Sequence, residues 1–168
     1  MNTIDRQVLL RRVRIWMVIF IVGLVVSGLT AFPLETEVTA LAWGFGVQDG
    51  TAGVQQGSLP DWVAKVREGI FETNRKYPFM AYGTDWLAFA HLVIGVAFIG
   101  PLIDPVRNKW VITFGMIACA GVVPLAMIAG QVRGIPFSWR VLDCAFGFFG
   151  VIPLLICRRY IQQIERGS

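Results

Sequence analysis

The sequence predicts an all-α membrane protein, a bundle of four transmembrane helices, and three observations lead to this prediction. Four apolar stretches occupy about half of the 168 residues, and each is close to the roughly 20 residues that a helix needs to cross a bilayer. The composition is 55% hydrophobic, which is too apolar for one soluble domain of this size. The stretches are also continuous, whereas the strands of a membrane β-barrel alternate between polar and apolar residues.

The four predicted spans carry few charges. They are residues 15–32, 83–103, 110–130 and 137–157. The first and third spans are uncharged; Asp85 and His91 lie in the second, and Arg140 and Asp143 in the fourth. The first apolar run is longer than the core of a signal peptide, so we expect it to remain as an anchor.

The distribution of arginine and lysine predicts that both termini are cytoplasmic. Short basic loops resist translocation. The termini and the turn at 104–109 carry nine basic residues against three acids, whereas the other side carries six against eight. We therefore expect an integral protein of a bacterial inner membrane whose basic rim contacts anionic lipid headgroups. A nucleic-acid partner is not predicted, because no basic stripe carries aromatic stacking platforms.

The only long connection, residues 33–82, is predicted to be an outer loop between the first and second spans. Ser58 is a favourable N-cap, and apolar residues recur at helical spacing from Leu59 to Phe71, which predicts an amphipathic helix ending before Pro78. Residues 38–45 are a candidate for a second short helix. The Gly- and Gln-rich segment 46–57 is predicted to be a flexible loop.

Short turns and small residues predict how the helices pack. The connections at 104–109 and 131–136 are short, so the last three spans are expected to be antiparallel neighbours. Gly28, Gly95 and Gly147 would allow close backbone approach between helices. Pro124 lies inside the third span and removes one helical hydrogen bond, which predicts a kink.

Cysteine and motif patterns exclude several enzyme classes. Cys119, Cys144 and Cys157 all fall inside predicted spans and form no C-x-x-C, so neither a disulfide scaffold nor a redox pair is predicted. Zinc-peptidase, P-loop and nucleophile-elbow motifs are missing from the sequence. No metal site and no cofactor is predicted.

Ionisable residues in or near the spans are the candidates for function, since a charge at mid-span is costly and usually faces the bundle interior. Arg140 and Asp143 are three residues apart on one helix face, where an ion pair could form. A salt bridge that fixes helix register is the plainer explanation of that pair. Arg133, Asp85 and His91 are predicted to lie in the same outer half, which favours a polar pocket under the loop.

Two roles are compatible with His91, one structural and one catalytic. A neutral imidazole commonly donates one hydrogen bond within a bundle, and that structural role is the simpler one. Alternatively, an imidazole can act as an acid–base group in catalysis near neutral pH. Asp85 lies six residues away and points about 120° from it on an ideal helix, so the two cannot form one dyad without a third group.

Two function hypotheses of different classes follow. In the first, an outward-facing pocket binds a small or lipidic anionic ligand. Arg133 and Arg140 would hold the anion, Asp85 and Asp143 would orient them, and His91 would be the catalytic residue if a reaction occurs. In the second, the chain is a non-catalytic subunit of a larger membrane complex, with other membrane subunits or copies of itself as partners. A redox subunit carrying haem or quinone is a distant third. Whether the protein is an enzyme stays open.

Overall fold

The computed structural model describes residues 3–49 and 53–167 as an all-helical protein. Helices make up 84% of it, and the described ranges contain no strand. A 3-10 turn at Pro78–Ala81 precedes the fourth helix. In chain order the helices are α1 (Thr3–Ala31), α2 (Leu34–Gly44), α3 (Leu59–Lys76), α4 (Tyr82–Ala97), α5 (Ile99–Ile103), α6 (Lys109–Val132) and α7 (Phe137–Arg166).

Four helical segments are long and apolar enough to cross a membrane. They are Ile4–Ala31, Pro78–Ile103, Lys109–Val132 and Phe137–Arg166. Between 11% and 22% of the residues in their most apolar windows are buried within the protein. In water, exposure of the remaining apolar surface would cost about 25 cal/mol for each Å². Lipid is the solvent that fits such helices, so the protein is an integral membrane protein, as the sequence predicts.

The second span is present as predicted, but it is not one continuous helix. It breaks at Phe98, between α4 and α5. The cause is Pro101, which has no N–H to donate to the carbonyl of Ala97 and whose ring crowds that carbonyl. The N–H of Phe98 is shared between the carbonyls of Ile94 and Gly95, both at 3.2 Å. By contrast, α6 continues as one helix through Pro124.

The described residues divide into two compact units, of which the first comprises Met1–Val25 and Val93–Ser168. Its core contains seven buried residues: Val13, Met17, Phe98, Ile112, Leu154, Cys157 and Ile161. The rings of Phe20 and Phe98 lie 4.7 Å apart. The thiol of Cys157 donates to the carbonyl of Val13 at 3.5 Å. Both α1 before its predicted span and α7 after its predicted span are therefore helical, and Val13 of α1 contacts Cys157 of α7.

Glycines hold α6 and α7 close together in this unit. A Cβ on Gly147 would lie 2.5 Å from the carbonyl oxygen of Cys119, and one on Gly150 would lie 3.2 Å from the Cys119 Sγ. A Cβ on Gly115 would meet Phe98 at 2.6 Å. The small residues that the sequence marks as helix contacts thus include true contacts, since a membrane bundle gains stability from close van der Waals packing.

The second unit, Val26–Leu92, contains α2 and α3 packed against each other. Val38, Ala42 and Val47 are buried on the α2 side, and Val63 and Ala64 on α3. The helix start at Ser58 is present, because the Ser58 hydroxyl accepts from the N–H of Asp61 at 3.4 Å.

The short loop before α3 depends on a glycine. Gly57 has a φ of +80°, a conformation that residues with a side chain rarely adopt. Of the segment predicted to be flexible, residues 50–52 lie outside the described residues.

Candidate functional site

Arg140, predicted to hold an anion, is engaged by its own helix hairpin. Its Nη1 donates to the carbonyl oxygen of Met127 at 3.3 Å, near the C-terminal end of α6. The guanidinium lies 5.5 Å from the ring centroid of Phe137. Its stem covers Gly130, where a Cβ would come within 2.5 Å of the Arg140 Cδ. A cation at a helix C-terminus is stabilised by the carbonyls there, so these contacts favour a structural role in joining α6 to α7.

The predicted ion pair between Arg140 and Asp143 does not form. The two ion pairs among the described residues join Lys65 to Asp61 and Lys109 to Glu165. The physical reason is that the Arg140 side chain is directed across the hairpin to α6 rather than along α7. Asp143 is half-buried, and Arg133 is the exposed C-cap residue of α6. Their predicted part in ligand binding stays a prediction.

His91 and Asp85 belong to the second unit. The Nδ1 of His91 lies 2.8 Å from the carbonyl oxygen of Leu87. Because a carbonyl can only accept, Nδ1 carries the proton, and a neutral ring keeps its lone pair on Nε2. The Cβ of His91 also lies 3.1 Å from the place of a Cβ on Gly28, so this residue forms part of the contact between α1 and α4. These are the features of a structural histidine, and they leave Nε2 for any further role.

Asp85 lines a small pocket of about 340 Å³ at the start of α4. Glu35, Thr36, Asn74 and Thr84 supply its other polar groups. The amide of Asn74 donates to the Glu35 carboxylate at 2.8 Å. That bond ties the beginning of α2 to the end of α3.

A larger groove, which sequence reasoning missed, follows α3 and has a volume of about 920 Å³. Glu35 near the start of α2, Val47 just after its end and Ala64 of α3 are among the residues that line it. We call it the α2–α3 groove. Six ionisable side chains line it: Glu35, Asp49, Arg67, Glu68, Glu72 and Arg75. The groove lies wholly within the second unit.

Four ionisable residues of α3 lie in two rows along the groove. Arg67, Phe71 and Arg75 follow each other at intervals of four, and Glu68 and Glu72 form the neighbouring row. The Arg67 guanidinium lies 5.0 Å from the Phe71 ring centroid. This spacing is visible in the sequence, but it is also the pattern of an ordinary solvated helix face. Only the position of α2 beside it makes a groove.

Several polar groups of the groove lack an ion-pair or hydrogen-bond partner among the described residues. None of its six ionisable side chains forms an ion pair with another described residue. Arg67 Nε and Gln48 Oε1 are buried and have no hydrogen-bond partner among the described residues. Leaving a buried polar atom unpaired costs about 1–3 kcal/mol. The ionisable side chains that line the groove have no counter-ion among the described residues, and a charged ligand could supply one.

A hydrogen-bond network holds the start of α3 below the groove. The buried carboxylate of Asp61 accepts from Lys65 Nζ and from the N–H of Gly57, both at 2.8 Å. The hydrogen bond from Lys65, followed by that from Gly57, lowers the pKa of Asp61 below its usual value. Asp61 is thus ionised at neutral pH and fixes the entry into α3.

Over the ranges 3–49 and 53–167, no three His, Cys, Asp or Glu residues are grouped as a metal site would require. Comparisons of the chain with models of protein families, with characterised proteins and with solved structures find no match. The geometry of the site is therefore the basis on which its function is inferred.

Proposed function

We propose that this protein is a membrane-anchored binding protein whose α2–α3 groove takes a small ligand bearing both an ammonium and an anionic group. The observation that carries the proposal is the row of unpaired charges of both signs along one groove. Four carboxylates and two guanidiniums line it. A purely anionic ligand would meet a net charge of −2, and a purely cationic one would leave the arginines without a partner.

The proposed ligand still carries the anionic group that the sequence predicts. Its anionic group would bind Arg67 or Arg75, because a guanidinium can donate two parallel hydrogen bonds to a carboxylate or phosphate. The ammonium would bind Glu68 or Glu72. Phe71, half-way between the two arginines on the same row, offers an apolar contact for the body of the ligand.

We also propose that both termini of the chain are cytoplasmic. Nine basic residues near the termini and the 104–109 turn, against six elsewhere, support cytoplasmic termini in a bacterial inner membrane. The α2–α3 groove would then face the outside, close to the membrane surface. Glu35 follows the first candidate span by four residues, and Arg75 precedes the second by three.

Thermal melts of the purified full-length protein with three probes would test the binding proposal. The probes are phosphoethanolamine, which carries both charges, inorganic phosphate and ethanolamine. We expect phosphoethanolamine to raise the melting temperature more than either single-charge probe. Arg67→Ala and Arg75→Ala should weaken that effect. Lys76→Ala makes the same charge change on the same helix outside the groove lining, and it should leave the effect unchanged.

Two outcomes would contradict the proposal. One is an equal response to all three probes, and the other is an undiminished response in both arginine variants. Stoichiometric co-purification of another membrane protein, combined with either outcome, would favour the alternative of an accessory subunit.

A further inference from the structure

A second cleft, of about 370 Å³, lies in the first unit between α6 and α7. Its polar lining comes from Lys109 and Thr113 of α6 and from Arg158, Gln162 and Glu165 of α7. Ile112 and Ile161 also line it, and both belong to the buried core. The lining of the cleft thus contains both charged and apolar side chains. The proposed function makes no use of it.

Arg158 is held in place in this cleft without a counter-ion. Its Nη1 donates to the hydroxyl oxygen of Thr113 at 2.8 Å. That hydroxyl in turn donates to the carbonyl of Lys109 at 3.2 Å, which orients its lone pairs toward the guanidinium. The other cation of the cleft, Lys109, is neutralised by Glu165 at 2.7 Å. The positive charge of Arg158 is therefore positioned but uncompensated among the described residues.

The cleft lies at one boundary of a candidate membrane span. Lys109 is the first residue of the third span, and Trp110, which is 68% exposed, follows it as interfacial aromatic residues do. Thr113 is four residues further, about 6 Å along the helix axis. The Arg158 guanidinium is thus held about one turn inside the start of α6, where phospholipid phosphates meet the acyl chains.

The surroundings of the cleft favour an anionic lipid over a zwitterionic one. Other basic residues lie at the same end of this unit. Arg12 stacks on Tyr160 of α7 with its Cζ 5.8 Å from the ring centroid. Arg14 Nη2 lies 3.5 Å from the carbonyl of Ile103, just before the turn to α6. A lipid with net negative charge is attracted by this cluster, whereas a zwitterionic headgroup gains much less.

We propose that the cleft between α6 and α7 binds the phosphate of an anionic phospholipid, with Arg158 as its main ligand. The Thr113 hydroxyl positions the guanidinium, Lys109 and Gln162 lie at the rim, and the acyl chains continue along the apolar surface of α6. The bound lipid supplies the negative charge that Arg158 lacks.

The test uses delipidated full-length protein in a neutral detergent, titrated with short-chain phosphatidylglycerol, short-chain phosphatidylcholine or inorganic phosphate. The readout is the melting temperature as a function of concentration. We expect phosphatidylglycerol to stabilise wild type at the lowest concentration. Arg158→Ala should raise the half-saturating concentration about tenfold or more, the factor that one charge-assisted hydrogen bond contributes.

Two further variants and one control keep the test decisive. Arg158→Lys retains the charge without the planar fork and should bind with intermediate strength. Thr113→Val removes the positioning hydroxyl at nearly constant volume and should also weaken binding. Arg166→Ala makes the same charge change on the last turn of α7, outside the cleft, and should stay within about twofold of wild type.

Three results would overturn the proposal. Equal stabilisation by phosphatidylcholine would remove the requirement for a net negative lipid. Equal potency of inorganic phosphate would make the cleft a site for a free anion. Wild-type affinity in both Arg158→Lys and Thr113→Val would remove Arg158 from the binding site, even if Arg158→Ala failed to fold.

Discussion

Close packing of α6 on α7 predicts that Gly147→Ala destabilises the protein. The added Cβ would lie 2.5 Å from the carbonyl oxygen of Cys119 and 3.2 Å from the Cβ of Val122. The first contact is about 1 Å too short, since heavy atoms pack at about 3.5–4 Å. It is also with backbone, which cannot rotate away as a long side chain would. The two helices must therefore separate.

The size of the effect follows from two opposing terms. Overpacking a tight contact costs about 1–3 kcal/mol. Replacing glycine with alanine inside a helix returns up to about 1 kcal/mol, because the unfolded chain loses freedom. The net destabilisation is about 1–2 kcal/mol, which for a chain of this length lowers the melting temperature by roughly 2–8 °C.

The matched control is Gly121→Ala, also within a membrane helix. A Cβ on Gly121 meets nothing within 4 Å. This variant should melt at or slightly above the wild-type temperature in the same detergent. If Gly147→Ala were as stable as Gly121→Ala, the close approach of α6 and α7 at Gly147 would be refuted.

Three further predictions concern topology, the histidine and the start of α3. A membrane-impermeant maleimide added to intact cells should label Gly69→Cys but not Gly167→Cys, with wild type as the blank; the reverse would overturn the proposed orientation. His91→Gln should fold normally at a cost of about 0.6 kcal/mol, the mean for a hydrogen bond within a membrane protein; a loss of function at normal stability in a complementation assay would instead show that its Nε2 is used. Because the pKa of Asp61 is lowered on folding, its carboxylate stabilises the fold at pH values above the unfolded pKa of about 3.9. That stabilisation is lost as the pH falls through the folded pKa. The melting temperatures of wild type and Asp61→Asn should thus differ at pH 7 and converge as the pH falls through the lowered folded-state pKa of Asp61; a constant difference would contradict this role.

The four spans could be predicted from the sequence because hydropathy over about 20 residues depends on composition, not on contacts. The break at Phe98 is next to Ala97, whose carbonyl loses its helical hydrogen bond because Pro101 has no N–H. At Pro124, α6 is one uninterrupted helix, and the kink that the sequence predicts there stays a prediction. Proline alone does not indicate which membrane helix will be interrupted, because neighbouring groups decide how the freed carbonyl is satisfied.

The candidate site was less accessible to sequence reasoning. Spacing along one helix predicted that Arg140 would pair with Asp143, but spacing does not include the competing acceptors on α6. The α2–α3 groove depends on a bond between Glu35 and Asn74, which are 39 residues apart. No local pattern indicates such a contact. The charged rows on α3 look like a solvated face until α2 lies beside them.

Native mass spectrometry of the gently purified protein would test the central claim, that the α2–α3 groove binds a ligand with charges of both signs. We predict that wild type and Lys76→Ala retain a small zwitterionic molecule. We also predict that the double variant Arg67→Ala, Arg75→Ala loses it while keeping its helical content. Retention of the same molecule by the double variant, or no zwitterionic species on wild type, would contradict the account.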